Sequence, residues 1–249
     1  MIKNIEKLYK DYQINGWVKI ENFLSKNDLS KIKKKIDNFF KKQLKNYSGR
    51  DINFVGKSKN LKKINSFHKM HDLKWVKEFS KNKKTKELIK VFLNDSTPQL
   101  RASEYFAKPA KIGLPAPIHQ DNYYWNVKGN NALTAWIALS TSSKKNGGVF
   151  YFNGSHKYGI YEHKQSFAKG SSQKIKDKKN LKKFKKVTPS LKAGEILIHN
   201  CLVAHGSNKN NSSIARRGWT LQYKDKKAKY DTVGINKYEK ALYNQINKR

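Results

Sequence analysis

The stretch "ALTAWIALSTSSKKNGGVFYF", residues 132–152, contains two short apolar runs joined by a polar connection that ends in two glycines. Apolar runs of this length between turn-forming residues are typical of β-strands. Similar runs occur at "ASEYFA" (102–107), "GEILIH" (194–199) and "RGWTLQY" (217–223). We therefore predict that residues 96–249 form the strands of a β-sandwich or barrel.

Residues 1–95 have a different pattern and are predicted to be mostly helical. Ser25 or Asn27 can cap a helix over residues 25–44, and residues 73–94 repeat the helical spacing of apolar residues. In the first of these segments, the side chains expected to form one apolar stripe are Leu29, Ile32, Ile36, Phe39 and Phe40. We expect these helices to pack on the β-rich part, so that residues 1–249 form a single domain.

Residues 157–190 form a segment that is very rich in lysine and ends with "KIKDKKNLKKFKKVTPS". Its composition is too polar to pack a core of its own, so we expect a long surface insertion. Long loops with anchored ends are often functional. We predict that this segment is a mobile lid over the functional site of the protein. The lysines could attract an anionic substrate, or they could simply be solvated.

The composition also limits where the protein acts. The chain has 249 residues, of which 37% are hydrophobic, and it has no run of about 18 apolar residues that could span a membrane. The N-terminus lacks the apolar core of a signal peptide, and Cys201 is the only cysteine, which excludes an internal disulfide. We predict a cytoplasmic protein with no membrane partner.

The formal net charge of +36 raises the question of a nucleic-acid partner. Nearly all of this charge comes from lysine, whereas nucleic-acid interfaces favour arginine for contacts with bases and phosphates. A lysine-coated surface is therefore the favoured interpretation. A basic protein that binds nucleic acid or another anion remains the alternative.

The stretch "PIHQDNYYWN" (117–126) places His119 and Asp121 two residues apart. Side chains at that spacing point to the same side of a strand and could share a metal ion, although the same pair also occurs in surface turns. A third ligand would be needed. The candidates are the remaining histidines, which are His68, His71, His156, His163, His199 and His205.

Among these histidines, His205 has the most informative surroundings. It precedes the turn-forming "GSNKNNSS", after which "RRGWTLQY" can return on a neighbouring strand and bring Arg216 beside it. Two histidines and one carboxylate occupy one face of a ferrous ion and leave three positions open for a cosubstrate and dioxygen. A nearby arginine could then bind a carboxylate of the cosubstrate.

Several segments together resemble the phytanoyl-CoA dioxygenase family of iron(II)- and 2-oxoglutarate-dependent oxygenases. They are "YKDYQINGWVKIENFLSKNDLSKIKKKI", "FAKPAKIGLPAPIHQDNYYW", "ALTAWIALSTSSKKNGGVFYFNGSHKYG" and "GEILIHNCLVAHGSNKN" followed by "RR". The resemblance implies a mainly β fold with flanking helices, namely a double-stranded β-helix or cupin-like jelly-roll barrel.

The resemblance also implies roles for individual residues. The metal ligands would be His119, Asp121 and His205. The residues expected to bind 2-oxoglutarate are Arg216, Ser207, Trp136, Gln120 and Thr134. The residues expected to line the substrate pocket are Tyr123, Tyr124, Trp125 and His156. Arg217 follows Arg216 on the same strand and should therefore face the opposite side.

The implied reaction uses Fe(II), 2-oxoglutarate and dioxygen, releases succinate and carbon dioxide, and hydroxylates an unactivated C–H bond. The substrate would be a small molecule that could be anionic. Halogenating relatives lack the carboxylate ligand, so Asp121 favours hydroxylation. A nucleic-acid-modifying oxygenase and a binding protein on an inactive oxygenase scaffold remain the alternatives.

Overall fold

The computed structural model describes residues 4–47, 49, 51–57, 60–94, 97–129, 131–168 and 170–246. The α-helices are α1 (Ile5–Asn15), α2 (Lys26–Gln43), α3 (Lys74–Lys81), α4 (Lys83–Leu93), α5 (Asn122–Trp125) and α6 (Thr232–Ile246). The strands are β1 (Trp17–Ile20), β2 (Ile52–Phe54), β3 (Ile64–Phe67), β4 (Pro98–Lys108), β5 (Ala116–His119), β6 (Ala132–Ala138), β7 (Val149–Phe152), β8 (His163–Ala168), β9 (Ser171–Ile175), β10 (Lys186–Val187), β11 (Ile196–Asn200), β12 (His205–Ser207) and β13 (Arg216–Asp225).

The strands form two main antiparallel sheets. The larger sheet has the order β1-β11-β6-β13-β4-β3-β2, and the smaller has the order β10-β7-β12-β5. Apart from β2, β3 and β4, which pair in chain order, neighbouring strands in these sheets come from distant parts of the chain, as in a jelly roll. The predicted fold class, mainly β with flanking helices, is confirmed.

The helices before β4 cover one face of the larger sheet. On α2, the side chains of Ile32, Ile36 and Phe40 are buried. Phe40 packs edge-on against Phe67 of β3 and Tyr105 of β4, with ring centroids 5.8 and 5.0 Å apart. The apolar stripe predicted for this helix is therefore the contact with the sheet.

The predicted helical segment 73–94 is divided into two helices. Asn82 lies between α3 and α4, and its side-chain oxygen accepts a hydrogen bond from the Thr85 amide at 2.8 Å. An asparagine in this position caps the next helix, because it satisfies an amide that has no partner within the helix. The periodicity predicted helical structure in this segment but not the break at Asn82.

The opposite face of the larger sheet packs on the smaller sheet. Trp136 of β6 and Leu197 of β11 form a buried cluster with Val149, Tyr151 and Val203. Residues that alternate with them along the strands join the helix-covered core instead. This alternation is the normal two-residue period of a strand. The side chains between the two sheets leave a cavity.

The lysine-rich segment 157–190, predicted to be a surface insertion without a core of its own, contains regular strands. It contains the hairpin β8–β9 and the strand β10, which pairs with β7. Ile175 and Leu181 are each only 1% exposed and belong to the cluster that includes Phe150 and Phe152. A few well-placed apolar side chains are enough, because the rest of this core is supplied by the smaller sheet.

No helix in the described ranges has both the length and the apolar character required to cross a bilayer.

Replacing Leu181 with alanine tests whether segment 157–190 contributes to stability. Truncating a fully buried leucine typically costs about 2–5 kcal/mol, so we expect a loss of that size in the free energy of unfolding. Ile160, in the same segment, is 49% exposed, so Ile160→Ala should change the free energy of unfolding by less than about 1 kcal/mol. Urea denaturation measures both variants, and equal effects would contradict the packing seen here.

Candidate active site

The three predicted metal ligands come together on the wall of the cavity. His119 ends β5 and pairs with His205, which begins β12. The Nε2 atoms of both imidazoles lie 3.6 Å from Oδ1 of Asp121. Within the part of the chain that the structure describes, this is the group of three whose donor atoms, all within 4.8 Å of one another, could hold a metal ion.

The backbone brings His119 and Asp121 together in a different way from the one the spacing suggested. Strand β5 ends at His119, and Asp121 has helical dihedral angles, φ −58° and ψ −38°, at the start of α5. The amide of Asn122 donates to the carbonyl of Cys201 at 2.9 Å and ties this turn to the segment before β12. The two side chains are therefore brought together by a strand end followed by a helical turn. They do not lie on one face of an extended strand.

The second carboxylate oxygen of Asp121 is held by two side chains of the larger sheet. The Thr134 hydroxyl donates to Oδ2 at 2.6 Å, and Nε2 of His199 lies 3.1 Å from the same atom. Nδ1 of His199 is in turn 3.0 Å from the hydroxyl of Tyr151. These contacts fix the carboxylate so that Oδ1 faces His119 and His205.

These contacts bear on the roles considered for Thr134 and His199. Thr134 was expected to hydrogen-bond the cosubstrate, but its hydroxyl proton is used on Asp121. His199 was a candidate third ligand, but it contacts the carboxylate oxygen that points away from His119 and His205. The residues that orient a ligand can be as important for affinity as the ligand itself.

The protonation of the site suits a divalent cation. Nδ1 of His119 lies 2.8 Å from the carbonyl of Pro117, and Nδ1 of His205 lies 3.0 Å from that of Val203. These contacts assign the proton to Nδ1 and leave the Nε2 lone pairs facing Asp121. Burial, together with His119, lowers the pKa of His205 to about 3, so this imidazole is neutral at physiological pH.

Asp121 supplies the negative charge. Burial alone would raise its pKa, but the neighbouring imidazoles of His205, His119 and His199 hold the pKa well below its usual range. One carboxylate and two imidazoles are the donor set that ferrous ion takes in two-histidine, one-carboxylate sites.

The cavity next to these ligands has a volume of about 850 Å³ and lies between the two sheets. It has one arginine toward each end of the β4–β13 pair. Arg216 begins β13, opposite Lys108 at the end of β4, and Arg101 lies near the other end of β4. A cavity of this size is in the range of small-molecule sites.

Arg216 is a buried cation without a carboxylate partner in the described residues. Its side chain is 3% exposed, Nη2 donates to the carbonyl of Gly147 at 3.1 Å, and Cζ lies 5.3 Å from the ring centre of Trp136. Its buried Nε has no hydrogen-bond partner there. Burial lowers the Arg216 pKa to about 10, and the guanidinium remains charged at neutral pH.

Lys108 and Ser207 lie at the same end of the cavity as Arg216. Burial and the adjacent Arg216 lower the pKa of Lys108 to about 6, and its Nζ donates to the carbonyl of Leu114. Two basic groups are thus crowded together in a desolvated pocket. An anion bound between them would relieve the repulsion and restore the charge of the lysine.

Arg217 faces the opposite side of β13, as the alternation predicted. Its guanidinium pairs with Asp37 of α2, and Nε donates to the Tyr105 hydroxyl at 2.8 Å. Only Arg216 of the two faces the cavity.

The structure places Trp136, Ser207, Tyr124 and Trp125 on the cavity wall, as expected for cosubstrate and substrate contacts. Gln120 is not on this wall. Its side-chain nitrogen donates to the carbonyls of Gly159 and Leu202 at 2.9 and 2.6 Å, so it braces two loops. It lies between the two ligands in sequence and points away from the metal side.

Tyr123 and His156 also lie outside the cavity, contrary to the prediction. The ring of Tyr123 stacks on His163, with centroids 4.1 Å apart. His156 is buried, with Nε2 3.2 Å from the carbonyl of Gln13. Both side chains are used to pack the loops around the site.

Four residues at the Arg101 end of the cavity have no substrate role predicted from the sequence, in which His68 was considered only as a metal ligand. They are Arg101, Glu104, His68 and Gln222. They form a chain of hydrogen bonds that joins β3, β4 and β13. Their spacing along the chain does not signal this network, because His68 and Gln222 are far from Arg101 and Glu104 in sequence.

A jelly roll with two histidines and one carboxylate beside a buried, unpartnered arginine has the architecture of iron- and 2-oxoglutarate-dependent oxygenases. The model of the phytanoyl-CoA dioxygenase family matches residues 12–218, and the chain belongs to this family.

Curated relatives agree with this membership. A probable alpha-ketoglutarate-dependent hypophosphite dioxygenase of Stutzerimonas stutzeri is 26% identical over 223 residues, which cover 86% of this chain and 76% of the relative. The peroxisomal phytanoyl-CoA dioxygenase of Bos taurus is 23% identical, with 96% of this chain and 75% of the relative covered.

Solved structures share the fold. EctD from S. alaskensis, crystallised with 2-oxoglutarate and 5-hydroxyectoine, superimposes with a TM-score of 0.74 at 19% identity, covering 90% of this chain and 77% of EctD. The carbocyclase SnoK from nogalamycin biosynthesis gives 0.72 at 18% identity, with 90% and 85% covered.

The predicted enzyme class, an iron(II)- and 2-oxoglutarate-dependent dioxygenase, and the predicted cofactors are therefore confirmed at the level of the family.

Thr134→Val tests whether the hydrogen bond from the Thr134 hydroxyl to Asp121 contributes to metal affinity. Valine keeps the shape of threonine but leaves Oδ2 with His199 alone, so we expect the affinity for Mn(II) or Fe(II) to fall by about 10–100-fold. Thr85→Val is the matched control, because the Thr85 hydroxyl is buried in α4 without a partner among the described residues. Isothermal titration calorimetry measures both affinities, and unchanged binding in Thr134→Val would contradict this role.

Proposed function

We propose that this protein hydroxylates an unactivated C–H bond of a small molecule, using Fe(II), 2-oxoglutarate and dioxygen. The observation that carries the proposal is the combination of the His119, Asp121 and His205 donor set with Arg216. Arg216 is buried in the same cavity and has no carboxylate partner among the described residues.

The three ligands would hold the iron through Nε2 of His119, Nε2 of His205 and Oδ1 of Asp121. Thr134 and His199 keep Oδ2 occupied, so that only one carboxylate oxygen is available to the metal. When bound, iron and 2-oxoglutarate supply the oxidising chemistry, with succinate and carbon dioxide as products. Open positions on the metal are what this donor set leaves for cosubstrate and dioxygen.

Arg216 would bind the distal carboxylate of 2-oxoglutarate. A guanidinium can pair with a carboxylate through two parallel hydrogen bonds, and burial strengthens that pairing. Lys108 would gain a proton as the anion enters, and Ser207 and Trp136 would complete this end of the pocket. The shortage of protein acceptors for the buried Arg216 supports this assignment.

The remaining walls would receive the substrate and exclude water. Tyr124 and Trp125 provide flat apolar surface close to His119, and Gly170–Ser172 of the segment 157–190 line the same cavity. That position is compatible with a lid, and lid movement remains a prediction. A dry site protects a reactive complex from side reactions.

Hydroxylation is proposed instead of halogenation because the carboxylate of Asp121 is present among the proposed ligands. The structural relatives include a carbocyclase and an epimerase, so the fold by itself does not determine the outcome. The nucleic-acid alternative is supported only by the net charge of +36. A single domain and a cytoplasmic location also remain predictions.

Replacing His205 with alanine tests the proposed metal centre. The unaltered protein should bind one Fe(II), develop the visible charge-transfer band of the iron–2-oxoglutarate complex without oxygen, and form succinate when oxygen is admitted. His205→Ala should lose all three properties and keep its unfolding temperature within a few degrees. His71→Ala, a histidine outside the cavity, is the control. Full activity in His205→Ala would exclude this centre.

The two adjacent arginines provide a second test. Removing the partner of a buried charge costs about 3–5 kcal/mol, so Arg216→Ala should raise the dissociation constant for 2-oxoglutarate by roughly a hundredfold or more. Arg217→Ala should leave it nearly unchanged, because Arg217 pairs with Asp37 on the outer face. Titration of the charge-transfer band measures both variants. The reverse result would show that Arg216 does not bind the cosubstrate.

A further inference from the structure

We propose that Arg101 recognises an anionic group of the primary substrate, a carboxylate or a phosphonate, at the end of the cavity away from Arg216. The inference rests on the proposed function, because it assumes that 2-oxoglutarate occupies the Arg216 end. It adds a substrate class and a specificity-determining residue.

Arg101 has hydrogen-bonding capacity that the protein does not use. Its side chain lines the cavity, Nη1 donates to Oε1 of Gln222 at 2.9 Å, and Cζ lies 4.9 Å from the ring centre of Trp125. No carboxylate of the described residues lies within ion-pairing distance of it. A guanidinium has five N–H donors, so most of them are available to a ligand.

The nearest carboxylate in the network is already neutralised. Oε1 of Glu104 lies 2.7 Å from Nδ1 of His68, and Oε2 accepts from the Gln222 amide at 2.7 Å. Although burial opposes protonation of His68, Glu104 raises its pKa, which favours the charged imidazole in this pair. The contacts of Glu104 are therefore with His68 and Gln222, and Arg101 forms no ion pair among the described residues.

A bulge in β4 places Arg101 in the cavity. Leu100 pairs with Tyr223 and Ala102 pairs with Gln222, so Arg101 is the extra residue that has no partner on β13. A bulge shifts the alternation of side chains by one position. Arg101 and Glu104, three residues apart, consequently line the same cavity, which a regular strand would prevent.

The separation of the two arginines argues that they bind different molecules. Lys108 pairs with Arg216 and Ala102 pairs with Gln222, which is six residues along β4. At about 3.4 Å per residue these positions are roughly 20 Å apart, too far for one 2-oxoglutarate to reach both ends. The anion at Arg101 must therefore belong to a second ligand.

The surroundings of Arg101 define the rest of that ligand. Tyr124, Trp125 and Tyr238 present aromatic surface in the same cavity, which Arg101 and Asp121 also line. A small molecule with an anionic group on an apolar or flat carbon skeleton fits these walls. Its anion would lie on Arg101, with a neighbouring carbon directed to the metal.

The test uses the protein with Mn(II) in place of iron and with saturating 2-oxoglutarate. The probes are 3-phenylpropanoate and 2-phenylethylphosphonate, compared with the neutral 3-phenylpropanamide. Binding is measured through the relaxation that Mn(II) induces in the probe protons by NMR, which needs no catalytic turnover. The two anionic probes distinguish a carboxylate site from a phosphonate site.

We expect at least one anionic probe to bind about tenfold more tightly than the amide, because a charge-assisted pair with a guanidinium is worth more than a neutral contact. Arg101→Gln should reduce that preference to less than about threefold, while leaving the amide, Mn(II) and 2-oxoglutarate affinities unchanged. Lys77→Gln removes one charge from the exposed surface of α3 and should behave like the unaltered protein.

If Arg101→Gln does not fold, Arg101→Lys is tested instead. Lysine cannot form the two parallel hydrogen bonds of a guanidinium, so the affinity for the preferred anionic probe should fall while the affinity for the amide probe stays unchanged. A preference for anions that survives these changes, or no preference in the unaltered protein, overturns the inference. Failure of Mn(II) or 2-oxoglutarate to bind at all would instead overturn the proposed function, so the two failures are distinguishable.

Discussion

The two oxygens of the Asp121 carboxylate face different parts of the protein, and the candidate metal centre depends on this division. Thr134 and His199, both on the larger sheet, hold Oδ2, whereas Oδ1 faces His119 and His205 on the smaller sheet. The carboxylate thus joins the two sheets at the point where their strands approach. Without the hold on Oδ2, the carboxylate could rotate, and the three donor atoms would no longer be fixed relative to one another.

Buried positive charge is the second constraint. Arg216 and Arg101 line a cavity between two sheets, where an unpaired charge is costly unless a ligand compensates it. Both ends are built from β4 and β13, so one pair of strands places a cation near each end of the cavity. The fold maintains these charges through Gly147, Trp136, Gln222 and Trp125 and leaves their remaining donors for ligands.

The division of the cavity also suggests how one scaffold serves different reactions. The donor set and the Arg216 end carry the chemistry expected of the family, while structural relatives include a hydroxyectoine complex, a carbocyclase and an epimerase. If the Arg216 end binds the cosubstrate as proposed, the substrate would contact the other walls of the cavity. In this chain those walls are the bulged part of β4, the hairpin β8–β9 and α6, which contributes Tyr238.

The sequence by itself determined the features that depend on local periodicity. Apolar runs located β4, β6, β7, β11 and β13, and alternation along β13 assigned Arg216 and Arg217 to opposite faces. The resemblance to the family indicated the three ligands. Only the tertiary structure showed that Thr134 and His199 hold Asp121, and that the lysine-rich segment 157–190 contributes to a core. The bulge that turns Arg101 into the cavity also became visible only there. These features depend on strand register and on contacts between distant residues, which local spacing along one chain does not encode.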